Sequence, residues 1–127
     1  MKEITVEEAE AIHHKLIEKY GGAKGIRDLG GLEAALARPF QTFGGEELYP
    51  TAIEKAAAIL ESVIIRHPWL DGNKRTGFML MAFILAKHRI RITAAEDACY
   101  EMTIAVAEGR SSAEEIRSWI GAHTARM

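Results

Sequence analysis

Cysteine occurs once in this 127-residue chain, at Cys99, and proline only three times. A single thiol excludes an internal disulfide and any zinc site built from several cysteines. Between Ala98 and Tyr100 it reads as a small core residue, the usual fate of a free cysteine. Neither sign of charge dominates, with 16 basic residues against 18 acidic ones and a formal net charge of −2. No global basic field is present to recruit nucleic acid, so direct nucleic-acid binding is not expected. Long hydrophobic runs are missing too. The stretch from Phe78 to Ala86 falls far short of the ~20 apolar residues that a spanning helix needs. The opening "MKEITVEEAE" is too acidic and polar for a signal peptide. The expectation is a cytoplasmic protein with no membrane partner.

What is present is an ordinary globular composition, 48% apolar and 27% charged. The length suits one domain, residues 1–127, with a single sizeable core. Thr5 and Glu8 form a capping box, Ala9, Ile12, Leu16 and Tyr20 follow at helical spacing, and Gly21-Gly22 stops the run. A second helix fits "GLEAALARP", with Leu32, Ala35 and Leu36 inward and Pro39 ending it. The segment from Phe40 to Pro50 reads equally as a loop or a small hairpin.

Residues 51–66 form a helix whose stripe is Ile53, Ala56, Ala57, Leu60, Val63 and Ile64, and Pro68 forces its end near His67. Another helix runs from about 73 to 88 and is apolar on nearly every side, which predicts burial all round. Arg89 to Thr93 reads as a short connector. Thr93 with Glu96, and Ser111 or Ser112 with Glu114 or Glu115, would cap two further helices. Their stripes are Ala98, Met102, Ala105 and then Ile116, Trp119, Ile120. The fold class is all-α, about six helices around a buried central helix.

The densest polar cluster, "HPWLDGNKRTG" at 67–77, sits at the mouth of the greasiest segment. A helix start carries unpaired N–H groups and partial positive charge, so it attracts anions. Gly72 lets a ligand approach the backbone, and Lys74 and Arg75 add two charges suited to phosphate oxygens. Asp71 fits beside a phosphate if Mg²⁺ lies between them. Asn73 can orient the metal shell or the phosphate, and His67 can take a proton near neutral pH. Base, metal, anion hole and cations are the parts that phosphoryl or nucleotidyl transfer requires.

Singly, each residue has a plain reading. Asp71 and Asn73 are common helix caps, His67 can simply end a helix, and Lys74 and Arg75 can be solvated surface charge. Jointly, on one rigid helix start, they are harder to dismiss. "GNKRT" is no P-loop, since Asn73 follows Gly72 and His67 stands where the earlier glycine is needed. His13 and His123 read as structural histidines near apolar stripes, His14 and His88 as surface or helix-end residues. Arg27 and Asp28 in "GIRDLGG" favour a structural role over a substrate role.

The cluster resembles the signature of the Fic superfamily, His-x-Phe-x-Asp/Glu-Gly-Asn-x-Arg-x-x-Arg, and is most similar to its death-on-curing (Doc) branch. "GGAKGIRDLGGLEAALARP", residues 21–39, is also similar to Doc sequences. The resemblance implies an all-α Fic fold with a flap that aligns a target peptide, here near Phe40 to Tyr49. It implies that His67 is the catalytic base, that Asp71 holds Mg²⁺, that Gly72 and Asn73 shape the anion hole, and that Arg75 binds nucleotide phosphates. Lys74 occupies the variable position, as in Doc proteins, beside the nucleotide.

Trp69 replaces the usual Phe, and Phe78 stands where most Fic proteins carry a second arginine. The resemblance therefore implies a Doc-type kinase that transfers the γ-phosphate of ATP to a hydroxyl of a translation factor such as elongation factor Tu. AMP transfer and a non-catalytic antitoxin-binding module are the alternatives. The self-inhibitory motif [Ser/Thr]-x-x-x-Glu-[Gly/Asn] is approached only at Ser111 to Glu115, with Ile116 following. Restraint would then come from a Phd-like antitoxin as partner.

Overall fold

A computed structural model describes residues 3–127. Six helices make up most of it: α1 (Val6–Tyr20), α2 (Leu29–Ala37), α3 (Ala52–Arg66), α4 (Asn73–Lys87), α5 (Glu96–Ala107) and α6 (Ala113–Ala122). Two short antiparallel ribbons complete it, β1 (Thr42–Phe43) with β2 (Glu46–Glu47), and β3 (Ile90–Ile92) with β4 (Thr124–Arg126). The all-α expectation holds.

Local chemistry sets several helix ends. The Thr5 hydroxyl accepts from the Glu8 N–H at 3.0 Å while the Glu8 carboxylate accepts from the Thr5 N–H at 2.9 Å. Ser112 and Glu115 repeat this box at α6. Gly21 ends α1 at φ 84, a conformation that glycine adopts without steric cost. α2 begins two residues earlier than "GLEAALARP" suggests, because the Asp28 carboxylate caps it by accepting from Gly31 N–H at 2.9 Å. Pro39 then tightens its exit into a 3₁₀ turn, Arg38–Phe40.

The segment after that turn resolves as a hairpin. Thr42 pairs with Glu47 and Phe43 with Glu46, around Gly44 and Gly45 at φ 59 and 85. Positive φ at both central residues is what a tight two-residue hairpin turn demands. Lys55 on α3, only 5% exposed, ties the hairpin to the body by donating to the Glu47 carboxylate and the Tyr49 carbonyl. Arg38 adds bonds to Tyr49 Oη, Ser62 Oγ and the Glu61 carboxylate.

The centre of the fold is α3 rather than the apolar helix that follows it. Every residue from Lys55 to Leu60 and from Ser62 to Ile64 is buried, and α3 packs against α2, α4, α5, α6 and the 3₁₀ turn. α4 is not buried all round. Leu80, Met81, Ile84 and Leu85 face the core, whereas Phe78, Ala82 and Phe83 are half-buried and Met79 is 42% exposed. Too few elements surround α4 to cover every side, so an apolar strip faces outward. On α1 the buried line is Ala9, His13 and Ile17, with Tyr20 exposed, because His13 packs inward against Trp69.

Two further expectations are corrected. Arg89 to Thr93 is no mere connector, since Ile90–Ile92 pairs with Thr124–Arg126 near the other end of the chain. Thr93 does not cap α5; its N–H continues that ribbon to the His123 carbonyl at 2.8 Å, and Ala95 starts the helix without a side-chain cap.

Backbone N–H donation from Thr5 and Ser112 holds the Glu8 and Glu115 carboxyls below the ordinary carboxylate range. A carboxyl lowered in the folded state stabilises above its unfolded value, and that contribution disappears as pH falls through the folded value. Glu115→Ala should therefore lower the melting midpoint near neutral pH, and its gap from the parent should narrow in acid, as pH falls through the lowered carboxyl value. Circular dichroism melts near neutral pH and in acid measure this, and a gap that does not narrow would rule out the charged box.

Candidate functional site

Every expected site residue lies on one short path, from the end of α3 through the turn 67–72 into the first turn of α4. His67 is the C-cap of α3 and adopts the left-handed conformation, φ 49 and ψ 56. Its side chain is exposed, and Nδ1 lies 3.1 Å from the Ile65 carbonyl. A carbonyl oxygen can only accept, so Nδ1 carries the proton and Nε2 of the neutral ring keeps its lone pair. The turn thus presents an imidazole in the tautomer that a base requires.

The rest of the turn is fastened to the body almost atom by atom. Trp69 is buried at 1% exposure, and its ring stacks on His13 with centroids 4.6 Å apart and planes 5° from parallel. His13, fully buried, donates through Nε2 to the Asp71 carbonyl at 2.8 Å. Asn73 braces the turn from within. Its buried amide closes on the backbone of Trp69, accepting from N–H and donating to C=O, each at 3.0 Å. These two bonds fix the side chain against the inner edge of the turn, while the residue still borders the open side.

Gly72 has φ 77, and a Cβ there would stand 3.1 Å from Ile17 Cδ1. Glycine is needed both for its conformation and because the turn presses against α1.

The ligand-facing side is open. No side chain caps α4, whose N-cap is Gly72. The Asp71 carboxylate is exposed, accepting from Gly72 N–H at 2.9 Å and from Ala23 N–H at 3.3 Å. Lys74 and Arg75 project from the first turn of α4, and the Arg75 guanidinium stacks on Tyr20, 4.3 Å from its ring centroid.

Asp71, Gly72, Asn73, Lys74 and Arg75 all border one cavity of about 660 Å³. Its other walls were not legible in the motif: Leu16 and Tyr20 come from α1, and Glu96, Asp97, Cys99 and Tyr100 from α5. Phe78 lines it where the motif's second arginine would stand. His67 lies outside this lining. Cys99 is half-buried at the cavity wall rather than in the core, and desolvation pushes its thiol pKa up.

A family model for the Fic/DOC family matches residues 3–85, which contain α1, α3, the turn and all but the last two residues of α4. The chain belongs to the Fic/DOC family. Among characterised relatives, Toxin Doc of Mycolicibacterium smegmatis is 48% identical over 59 residues, which cover 46% of this chain and 45% of that protein. Protein kinase doc of Escherichia phage P1 is 28% identical over 116 residues, 91% of this chain and 90% of that protein. The family match thus spans α1 as well as the motif, in keeping with the way His13 and Ile17 back the turn.

Replacing Asn73 with alanine would leave the N–H and C=O of buried Trp69 without partners. Each such loss costs about 1–3 kcal/mol. Asn73→Ala should therefore destabilise by about 2–4 kcal/mol in urea unfolding. A loss below about 0.5 kcal/mol would mean the turn is held without that amide.

Proposed function

We propose that this chain is a Doc-type toxin of a toxin–antitoxin pair, a protein kinase that moves the γ-phosphate of ATP onto a serine or threonine hydroxyl. The observation that carries this reading is the pairing of His67, ring exposed and Nε2 free to accept, with an uncapped cationic helix start at the other end of the same rigid turn. One end offers a base and the other an anion site. The names of the two relatives, a toxin and a protein kinase, support the same reading.

In this mechanism Nε2 of His67 takes the proton of the target hydroxyl. The hydroxyl oxygen bonds to the γ-phosphorus, the bond from that phosphorus to the β,γ-bridging oxygen breaks, and ADP departs. Lys74, Arg75 and the first N–H groups of α4 balance the charge on the phosphate oxygens. Among the described residues no group of three or more His, Cys, Asp or Glu side chains forms a metal site. The exposed Asp71 carboxylate fits Mg²⁺ that arrives with a nucleotide, because that ion is commonly held by one carboxylate together with phosphates. Bound there, Mg²⁺ would supply charge neutralisation between carboxylate and phosphate.

Phe78 on the cavity wall carries no charge to hold a distal phosphate, which favours γ-phosphate transfer over AMP transfer. The hairpin at 42–47 suits a flap that aligns an extended target segment by edge pairing. We assign the target to a translation factor such as elongation factor Tu. The apolar strip of α4, with Met79 exposed, suits the tail of a Phd-like antitoxin. No helix of the described residues is long and apolar enough to cross a membrane.

The test is incubation with a translation extract and ATP labelled at the α or the γ position. Label should move to protein from γ only, with elongation factor Tu as the acceptor. Movement from α would replace the kinase reading with AMP transfer, and none from either would overturn catalysis. His67→Ala should lower transfer at least ~10²-fold, since a positioned base contributes roughly 10²–10⁴-fold. Lys74→Ala and Arg75→Ala should each weaken ATP binding about tenfold or more, the worth of a lost charged hydrogen bond.

A further inference from the structure

Three consecutive carbonyls at the end of α3 accept from a single residue, Arg27. Its Nη2 donates to the Arg66 carbonyl at 2.6 Å and its Nε to the His67 carbonyl at 2.8 Å. Its backbone N–H donates to the Pro68 carbonyl at 2.8 Å, joined there by Asp28 N–H at 3.0 Å. The contact continues along the turn, with Ile26 bridged to Trp69 and Leu70 N–H donating to the Gly25 carbonyl at 3.0 Å. A four-residue segment between α1 and α2 thus lies alongside the turn like a splint.

The splint acts where the backbone is under strain. A helix commonly ends in a left-handed residue, usually glycine. Here His67 takes that conformation at φ 49, which costs a side-chain-bearing residue about 1–2 kcal/mol. Such a residue persists only if its surroundings hold it. The peptide units on both sides of the His67 Cα are the ones that the Arg27 guanidinium grips, so their planes fix the direction of the Cα–Cβ bond and of the imidazole.

We propose that Arg27 is a positioning residue for His67: its planar fork locks the left-handed backbone that aims the base. The proposal deepens the assignment of His67 as base and rests on it. A lysine cannot substitute fully, because a point charge cannot hold two carbonyls at a fixed angle. The plainer alternative is that Arg27 merely places positive charge at the C-terminal end of α3. That role would affect stability without touching the chemical step.

The experiment compares Arg27→Met and Arg27→Lys with the parent chain. Arg27→Met should lower kcat about 10–100-fold, the scale expected when a reacting group is misplaced by about an ångström. KM for ATP should stay within about twofold, since Lys74 and Arg75 sit on a different element. Arg27→Lys should recover part of the loss. In a His67→Ala background, Arg27→Met should lower the residual rate no further. The Cα and Cβ chemical shifts of His67 give a readout independent of catalysis and should leave left-handed values in Arg27→Met.

Unchanged His67 shifts with kcat within about twofold of the parent would overturn the proposal, as would a loss confined to KM. If the parent chain transfers no label at all, the kinase assignment fails by itself. The chemical shifts then still decide whether Arg27 holds His67.

Discussion

The turn from His67 to Gly72 keeps its shape because its backbone polar groups find partners elsewhere in the fold. The carbonyls of Arg66, His67 and Pro68 go to Arg27 and Asp28, both polar groups of Trp69 to Asn73, Leu70 N–H to Gly25, and the Asp71 carbonyl to His13. Backbone groups away from water must be paired, and here the pairing also dictates where the side chains point. With its inner surface so occupied, the turn is left with one outward direction for the His67 ring and the Asp71 carboxylate. Remove the fastening, and a left-handed histidine and a left-handed glycine within six residues would have little reason to persist.

α1 bears on this site more than its sequence suggests. His13 stacks on Trp69, Ile17 crowds position 72 from 3.1 Å, and Tyr20 carries the Arg75 guanidinium. The Gly21-Gly22 exit of α1 does similar work. A Cβ at Gly22 would lie 2.7 Å from the Asp71 carboxylate, so that carboxylate can approach the chain only because glycine is there. The cavity is electrically mixed as a result of its walls, with Lys74 and Arg75 on α4 facing the acidic start of α5 at Glu96 and Asp97. A ligand with both anionic and polar neutral parts, as a nucleotide has, suits such walls better than a bare anion.

Much of this was legible from local sequence. The Thr5–Glu8 and Ser112–Glu115 boxes, the stop at Gly21 and the break before Pro68 rest on hydrogen bonds or sterics reaching no farther than one helical turn. The cluster at 67–77 was legible for the same reason: its chemistry is packed into one short segment. Where short-range logic was extended too far it failed. Thr93 has the spacing of a cap, yet its N–H is used by a ribbon whose other strand lies at the far end of the chain.

The sequence by itself determined the all-α class, most helix limits and which residues could bear phosphate chemistry, since those follow from periodicity and nearest neighbours. Tertiary structure alone decided that α3 rather than α4 is the centre, that the Asn73 amide braces Trp69, and that α5 closes the cavity. It also decided the tautomer of His67 and the splint from Arg27. Those outcomes depend on partners tens of residues apart, and no repeat or spacing along a chain encodes which distant backbone group will come to lie within 3 Å.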